Sequence, residues 1–74
     1  MKKYDIITMS YIFHVRQVKE KIIIVHEIGV IIIDNKDGSI IKNYNTDIIV
    51  DYEFKHNFLE VFDMSGTALN IEIY

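Results

Sequence analysis

The residues best suited to chemistry are the carboxylates and aromatic side chains of the second half of the chain. Asp51, Glu53 and Glu60 are acidic, and Tyr52 and Phe54 lie beside them in sequence. Clustered carboxylates complement a basic target, and exposed Tyr next to carboxylates is typical of a binding patch. We therefore predict that these five residues form a protein-binding site. The alternative is that the carboxylates form the solvated face of a sheet.

Two histidines offer a different chemistry. If Val18 faces Ile22 across a turn at residues 19–21, antiparallel register places His14 opposite His26, with their side chains about 5 Å apart on one face. Two imidazoles and a carboxylate are a ligand set that binds Zn²⁺. A register shift of one residue abolishes the pairing, however, and such histidines are more often surface neighbours. We therefore predict no metal site and keep a small metal- or ligand-binding domain that uses His14 and His26 as the alternative.

Combinations of residues that enzymes use are absent from the sequence. The chain has no cysteine and contains no Gly-x-Ser-x-Gly, phosphate-binding loop or His-Glu-x-x-His motif. Residues 34–38 are rich in Asp and Asn, but their Gly is the fifth residue, whereas a calcium-binding EF-hand loop needs Gly at the sixth. We therefore predict a non-enzymatic chain that holds no cofactor.

Charge narrows the choice of partner. Eight Lys and Arg against eleven Asp and Glu give a formal net charge of −3, which repels phosphate backbones and argues against nucleic acid as a partner. Apolar runs are interrupted by Lys21, Glu27 and Asp34, so none reaches the roughly 18 residues of a membrane helix. No small-residue cleavage site follows the basic N-terminus. We expect a cytoplasmic protein that does not bind membranes.

The elements that must position these residues are β-strands. Tyr11, Phe13 and Val15 continue an alternating apolar row that starts with Ile7 and Met9, a period of two that predicts a half-buried strand. Residues 22–33 are mostly β-branched, which is typical of strands covered on both faces. A glycine at position 29 predicts a bulge or bend that splits this run.

Turn residues divide the remainder of the chain. Asp34 to Gly38 predicts a hairpin in which Ile33 faces Ser39. Further strands are predicted over residues 39–43, 48–54, 58–63 and 67–73. We therefore predict a single all-β domain over residues 1–74, a small antiparallel meander of about seven short strands that forms a sandwich or open barrel with blade-like hairpins. Similar patterns in residues 22–43 and 48–73 raise the possibility of an internal duplication.

Residues 29–41 place Asp34, three residues and Gly38 between two aliphatic strands. This pattern resembles the inner hairpin of a quinoprotein-type β-propeller blade, and residues 58–69 are similar with a turn one residue shorter. Propellers need at least about four blades of about forty residues, and this chain spans fewer than two. The resemblance therefore implies a structural subunit that closes a ring by assembling copies, and no cofactor site carries over from it.

Apolar content predicts self-association. Half of the 74 residues are hydrophobic, which is more apolar surface than a lone domain of this size easily hides. Open strand edges and apolar sheet faces pair readily with another copy. The sequence therefore predicts a protein-binding homo-oligomer, whose specific form is an acidic inhibitor or immunity-type protein that blocks a basic partner.

Overall fold

A computed structural model describes residues 11–73, which form seven antiparallel strands and no helix. Four strands make sheet A in the order β1-β2-β3-β4, and three make sheet B in the order β5-β6-β7. Their bounds are β1 Ile12–Val18, β2 Lys21–His26, β3 Gly29–Asp34, β4 Ile40–Asn45, β5 Ile49–Phe54, β6 Phe58–Asp63 and β7 Ala68–Glu72. The predicted all-β meander of short strands is confirmed, and it consists of two sheets instead of a closed barrel. The described part of the chain has no helix long and apolar enough to cross a membrane.

The β2–β3 hairpin divides the long apolar run where the sequence predicted a bend. His26 pairs with Gly29 across a two-residue turn. A Cβ atom built on Gly29 would overlap the backbone carbonyl oxygen of Tyr44 on β4 and would lie 3.1 Å from Nε2 of His26. Glycine is therefore required at this position because β4 approaches it closely.

The predicted turn between β3 and β4 is present, although its register differs by one residue. The Asp34 side chain accepts a bond from Lys36 N–H at 2.7 Å, and Gly38, at φ 77°, donates its N–H to Asp34 O at 2.9 Å. Ile33 pairs with Ile40 and not with Ser39. β4 also extends to Asn45, beyond the predicted end at residue 43. The extension occurs because Tyr44 pairs with Val30 and packs against the core.

Buried side chains form two clusters. Strands from both sheets contribute to the inner cluster, whose members are Ile23, Val25, Val30, Ile32, Ile49, Leu59, Val61, Ile71 and Ile73. The outer cluster lies on the opposite face of sheet A and consists of Ile22, Ile24, Ile31 and Ile33, with Ile12 packed against it. Because neighbouring residues of a strand point to opposite faces, β2 and β3 are apolar on both sides, as their β-branched run predicted.

The two segments compared for duplication lie in different sheets. Residues 22–43 supply most of β2, β3 and β4, and residues 48–73 supply β5, β6 and β7. Each set is a three-stranded antiparallel meander. Common ancestry of the two halves stays a prediction.

Candidate binding site

A β-bulge in β1 positions the Phe13 side chain at the candidate site. The pairing of β1 with β2 shifts between Ile12 and His14, which leaves Phe13 as the extra residue. Beyond the bulge, Val15 pairs with Ile24 of the outer cluster. The Phe13 ring instead lies near Tyr52 of sheet B, 6.3 Å away between centroids. The prediction of one continuous apolar row is therefore wrong for Phe13 and Val15, and Ile7 and Met9 lie outside the described residues.

Aromatic rings join the edge strands β1 and β5. Phe13 and Tyr52 are nearly parallel, with an interplanar angle of 5°. His14 lies 5.7 Å from Tyr52 and 5.0 Å from Phe54 between ring centroids. Its Nδ1 atom is 3.3 Å from the Tyr52 hydroxyl, within hydrogen-bonding distance. The guanidinium carbon of Arg16 lies 4.2 Å from the Phe54 centroid. The Arg16 guanidinium therefore forms a cation–π interaction with the ring at one end of this row.

Beside the other end of the row lies a cavity of about 320 Å³, which we call the edge pocket. Its walls come from both sheets: Tyr11, Phe13, Ile49, Val50, Asp51 and Tyr52. The backbone of Glu27 connects these walls. Glu27 donates its N–H to Tyr11 O at 2.9 Å, and its carbonyl oxygen accepts the N–H of Ile49 at 2.8 Å. The backbone therefore fixes the width of the pocket without any ligand.

Asp51 gives the edge pocket its charge. Its Oδ1 atom accepts the Tyr52 N–H at 2.9 Å, and no basic side chain among residues 11–73 forms an ion pair with it. Glu53 and Glu60 differ, because Lys55 Nζ lies 3.5 Å and 3.8 Å from their carboxylates. The charge of Asp51 is therefore the least compensated of these three carboxylates.

The five residues predicted to bind a partner are divided between the faces of sheet B. Glu53 pairs with Glu60 across the strands, and Asp51 lies on this same face two residues before Glu53. Tyr52 and Phe54 point the other way and pack against the inner cluster. A period of two makes this division unavoidable. Of the five, the structure brings Asp51 and Tyr52 together in the edge pocket.

The predicted register of the two histidines is wrong. Val18 pairs with Lys21 instead of Ile22, so His14 lies opposite Val25 and His26 lies opposite Ile12. His14 faces sheet B, whereas His26 is on the outer face of sheet A. Residues 11–73 contain no group of three His, Cys, Asp or Glu side chains that could hold a metal ion. The geometry that motivated a His14 and His26 site is thus not present.

His26 is instead a buried histidine at the β2–β3 turn, only 5% exposed. Its Nδ1 atom accepts the Ile28 N–H at 3.4 Å, and its Nε2 atom has no hydrogen-bond partner within the described chain. Burial lowers the pKa of His26 below its ordinary value because a low-dielectric surrounding disfavours the charged ring. Folding therefore selects neutral His26.

Sequence reasoning missed the contribution of β1 to the site. The alternating pattern assigns Tyr11 and Phe13 to the apolar row of a half-buried strand and not to a binding site. A signal was nevertheless present, since Tyr11, Ile12 and Phe13 form three consecutive apolar residues in an otherwise alternating strand. Such an interruption is the pattern that a bulge leaves in a sequence.

The comparisons with known proteins add no further constraint. No family model, curated protein or solved structure matches this chain.

Proposed function

We propose that this chain is a non-enzymatic protein-interaction module that binds a basic protein through the β1 and β5 edges. The observation that carries the proposal is the edge pocket, whose lining combines exposed apolar side chains with Asp51, a carboxylate that forms no ion pair in the described chain. Tyr11 is 70% exposed and Val50 is 61% exposed, although both are large enough to favour burial. Aromatic side chains in such positions dominate the energetics of protein interfaces.

Charge supports a basic partner. The net charge of −3 attracts cationic proteins at long range and speeds their encounter. The outer face of sheet B adds Glu53 and Glu60 next to Asp51, so the carboxylates continue from the pocket onto a flat surface. An acidic inhibitor or immunity-type protein uses this combination to cover a basic active site or binding groove.

Self-association belongs to the same proposal and involves another edge. β4 is an outer strand of sheet A, and its Ile40 and Ile41 side chains are 53% and 44% exposed. An edge strand with exposed aliphatic residues pairs readily with a second copy. Pairing through β4 leaves the β1 and β5 edges open to the basic partner.

Affinity capture tests the binding of a basic partner. The variant Asp51→Lys/Glu53→Lys reverses charge at the site, and Glu20→Lys/Asp37→Lys makes the same change in net charge elsewhere on the surface. We expect the wild type and the second variant to retain a basic protein from extracts of the source cells and the first variant to lose it. Equal recovery by all three proteins would overturn the proposal.

Light scattering tests self-association. We expect a mass of twice 8.8 kDa for the wild type and a shift toward the monomer for Ile41→Lys. A mass of 8.8 kDa at all concentrations would remove self-association from the proposal. It would leave the basic partner untouched.

A further inference from the structure

We propose that the edge pocket receives the guanidinium group of an arginine side chain presented by the basic partner. This inference rests on the proposed function and specifies the group that the site recognises. Four observations support it: the ring faces, the charge of Asp51, the size of the pocket and the backbone that holds its walls.

The ring faces provide the first argument. Tyr11, Phe13 and Tyr52 line the pocket, with Tyr11 and Phe13 edge to face at 5.5 Å between centroids. Aromatic faces carry negative electrostatic potential and attract cations. The molecule shows the same interaction at the Phe54 end of the row, where Arg16 lies 4.2 Å from the ring centroid. An arginine from a partner would repeat this contact at the other end.

Asp51 provides the second argument. Within the described chain, its carboxylate has one hydrogen bond, from Tyr52 N–H to Oδ1, and no ion pair. A carboxylate has about four acceptor sites on its two oxygens, so it can accept further donors. The planar guanidinium fork donates two parallel bonds to such a group while its face stacks on a ring. A lysine ammonium lacks the planar face, so the combination of rings and carboxylate favours arginine.

Size and rigidity complete the argument. A cavity of about 320 Å³ lies at the lower end of the range for ligand sites, so it suits one side chain and not a large cofactor. The backbone of Glu27 forms hydrogen bonds with Tyr11 O and with Ile49 N–H, and these bonds hold both walls in position. A preformed site avoids the entropy cost of ordering side chains on binding.

A titration with small probes tests the inference separately from any partner protein. The probe is N-acetyl-arginine methylamide, and the ring protons of Tyr11 and Tyr52 report binding by NMR. N-acetyl-citrulline methylamide has nearly the same shape without the charge. We expect saturable shifts at millimolar arginine probe and binding of the citrulline probe weaker by about tenfold or more, because charge-assisted bonds are roughly twice as strong as neutral ones.

Two variants locate the binding site, with a third as control. Asp51→Asn removes the charge, and we expect about tenfold weaker binding of the arginine probe. Tyr11→Ser removes an exposed ring and should weaken binding while the remaining amide spectrum stays that of the folded protein. Glu72→Gln neutralises an exposed carboxylate on β7, outside the pocket and outside the proposed binding surface, and we expect the wild-type affinity within about twofold because exposed charges outside a contact contribute little.

Several outcomes would overturn the inference. Equal affinity for the arginine and citrulline probes would show that charge is not recognised. Choline binding without arginine binding would assign the pocket to quaternary ammonium groups, and movement of the Tyr11 and Tyr52 signals with protein concentration alone would assign it to a second copy. If arginine fails to bind while Asp51→Lys/Glu53→Lys still abolishes capture of the basic protein, the inference is wrong and the proposed function survives.

Discussion

Sheets A and B are both antiparallel meanders, but they bury their side chains differently. In sheet A, the central strands β2 and β3 are apolar on both faces and supply the outer cluster as well as four of the nine residues of the inner one. In sheet B, Leu59 and Val61 of β6 are buried while Glu60 between them lies on the opposite face. A continuous β-branched run and an alternating strand thus produce the same local structure with a different number of faces to cover.

This difference is the reason why the proposed function uses sheet B and the edges. Sheet A has its apolar groups at the centre of the sheet, where backbone bonds on both sides fix them. Sheet B offers carboxylates on one face, and its edge strand β5 meets β1 at the edge pocket. Matched substitutions in the two sheets test this difference in burial.

The largest effect is expected in the two clusters. Ile24 of the outer cluster and Leu59 of the inner cluster are both fully buried at 0% exposure. Changing either to Ala removes buried methyl groups and leaves a cavity, which costs about 2–5 kcal/mol of unfolding free energy. Urea denaturation of Ile24→Ala and Leu59→Ala should give comparable losses, and Ile41→Ala on the exposed part of β4 should lose far less. An Ile24→Ala loss as small as that of Ile41→Ala would show that the outer cluster does not behave as a core.

The second effect distinguishes two glycines. Gly29→Ala would drive a Cβ into the Tyr44 carbonyl oxygen, and because this atom belongs to the backbone, relief requires β3 and β4 to separate. We expect a loss of about 2–3 kcal/mol, in the range of overpacking. Gly66 has φ +86° and open space around its Cβ position, so Gly66→Ala meets only backbone strain of about 1 kcal/mol. Thermal denaturation of both variants measures which one loses more stability. A larger loss for Gly66→Ala than for Gly29→Ala would contradict the prediction.

The sequence predicts strand bounds and register correctly only where neighbouring residues determine them. β6 was predicted with its observed bounds of Phe58–Asp63 because polar turns border it on both sides. The β1–β2 register was predicted incorrectly, because the turn is two residues long and Lys19 adopts a φ of 57°. Lysine rarely adopts a positive φ, so residue type favours a longer turn there. That turn places His14 opposite Val25, and the bulge at Phe13 then places His26 opposite Ile12.

The edge pocket was predictable in part for the same reason. Asp51 and Tyr52 were predicted as binding residues from their types and from their position in one strand, and both line the pocket, while their role in binding stays a prediction. Tyr11 and Phe13 were not, because their contact with β5 depends on the bulge and on the packing of one sheet against the other. Long-range contacts between sheets are not encoded in the period of any one strand.

The third effect compares the two Asp-to-Gly turns. Asp63 Oδ1 accepts a hydrogen bond from the Ser65 hydroxyl at 2.5 Å, and its Oδ2 accepts one from the Asp47 N–H at 3.2 Å, which connects the turn to the loop before β5. The Asp34 side chain caps its own turn through Lys36 N–H. We therefore expect Asp63→Asn to destabilise more than Asp34→Asn. Urea midpoints at pH 7 give the comparison, and equal midpoints would contradict it.

Acid adds a sharper test of Asp63. The hydrogen bond from Ser65 lowers the pKa of the Asp63 carboxyl below its ordinary value of 3.8. A carboxyl with a lowered pKa in the folded state stabilises above its unfolded pKa, and this contribution is lost as the pH falls through the folded value. The difference in urea midpoint between wild type and Asp63→Asn should therefore shrink between pH 5 and pH 2. A constant difference would assign the effect of the variant to geometry and not to charge.

The smallest effect lies at higher pH and belongs to sheet A. Because burial lowers the pKa of His26, the unfolded chain binds a proton more readily than the folded one. The contribution of His26 to stability is therefore complete above the ordinary histidine pKa of 6.5. It decreases as the pH falls through this value and levels off below the folded pKa. In His26→Asn the amide oxygen can still accept the Ile28 N–H, but the side chain does not titrate. His14 and His56 are present in both proteins, so the difference in unfolding free energy between them isolates His26.

We expect the wild type to lose more stability than His26→Asn from pH 7.5 to pH 5.5, with hydrogen exchange at β2 and β3 accelerating before that at β6. Parallel losses in the two proteins would show that burial of His26 does not control its protonation. Exchange that accelerates first at β6 would place the weak point on acidification in sheet B.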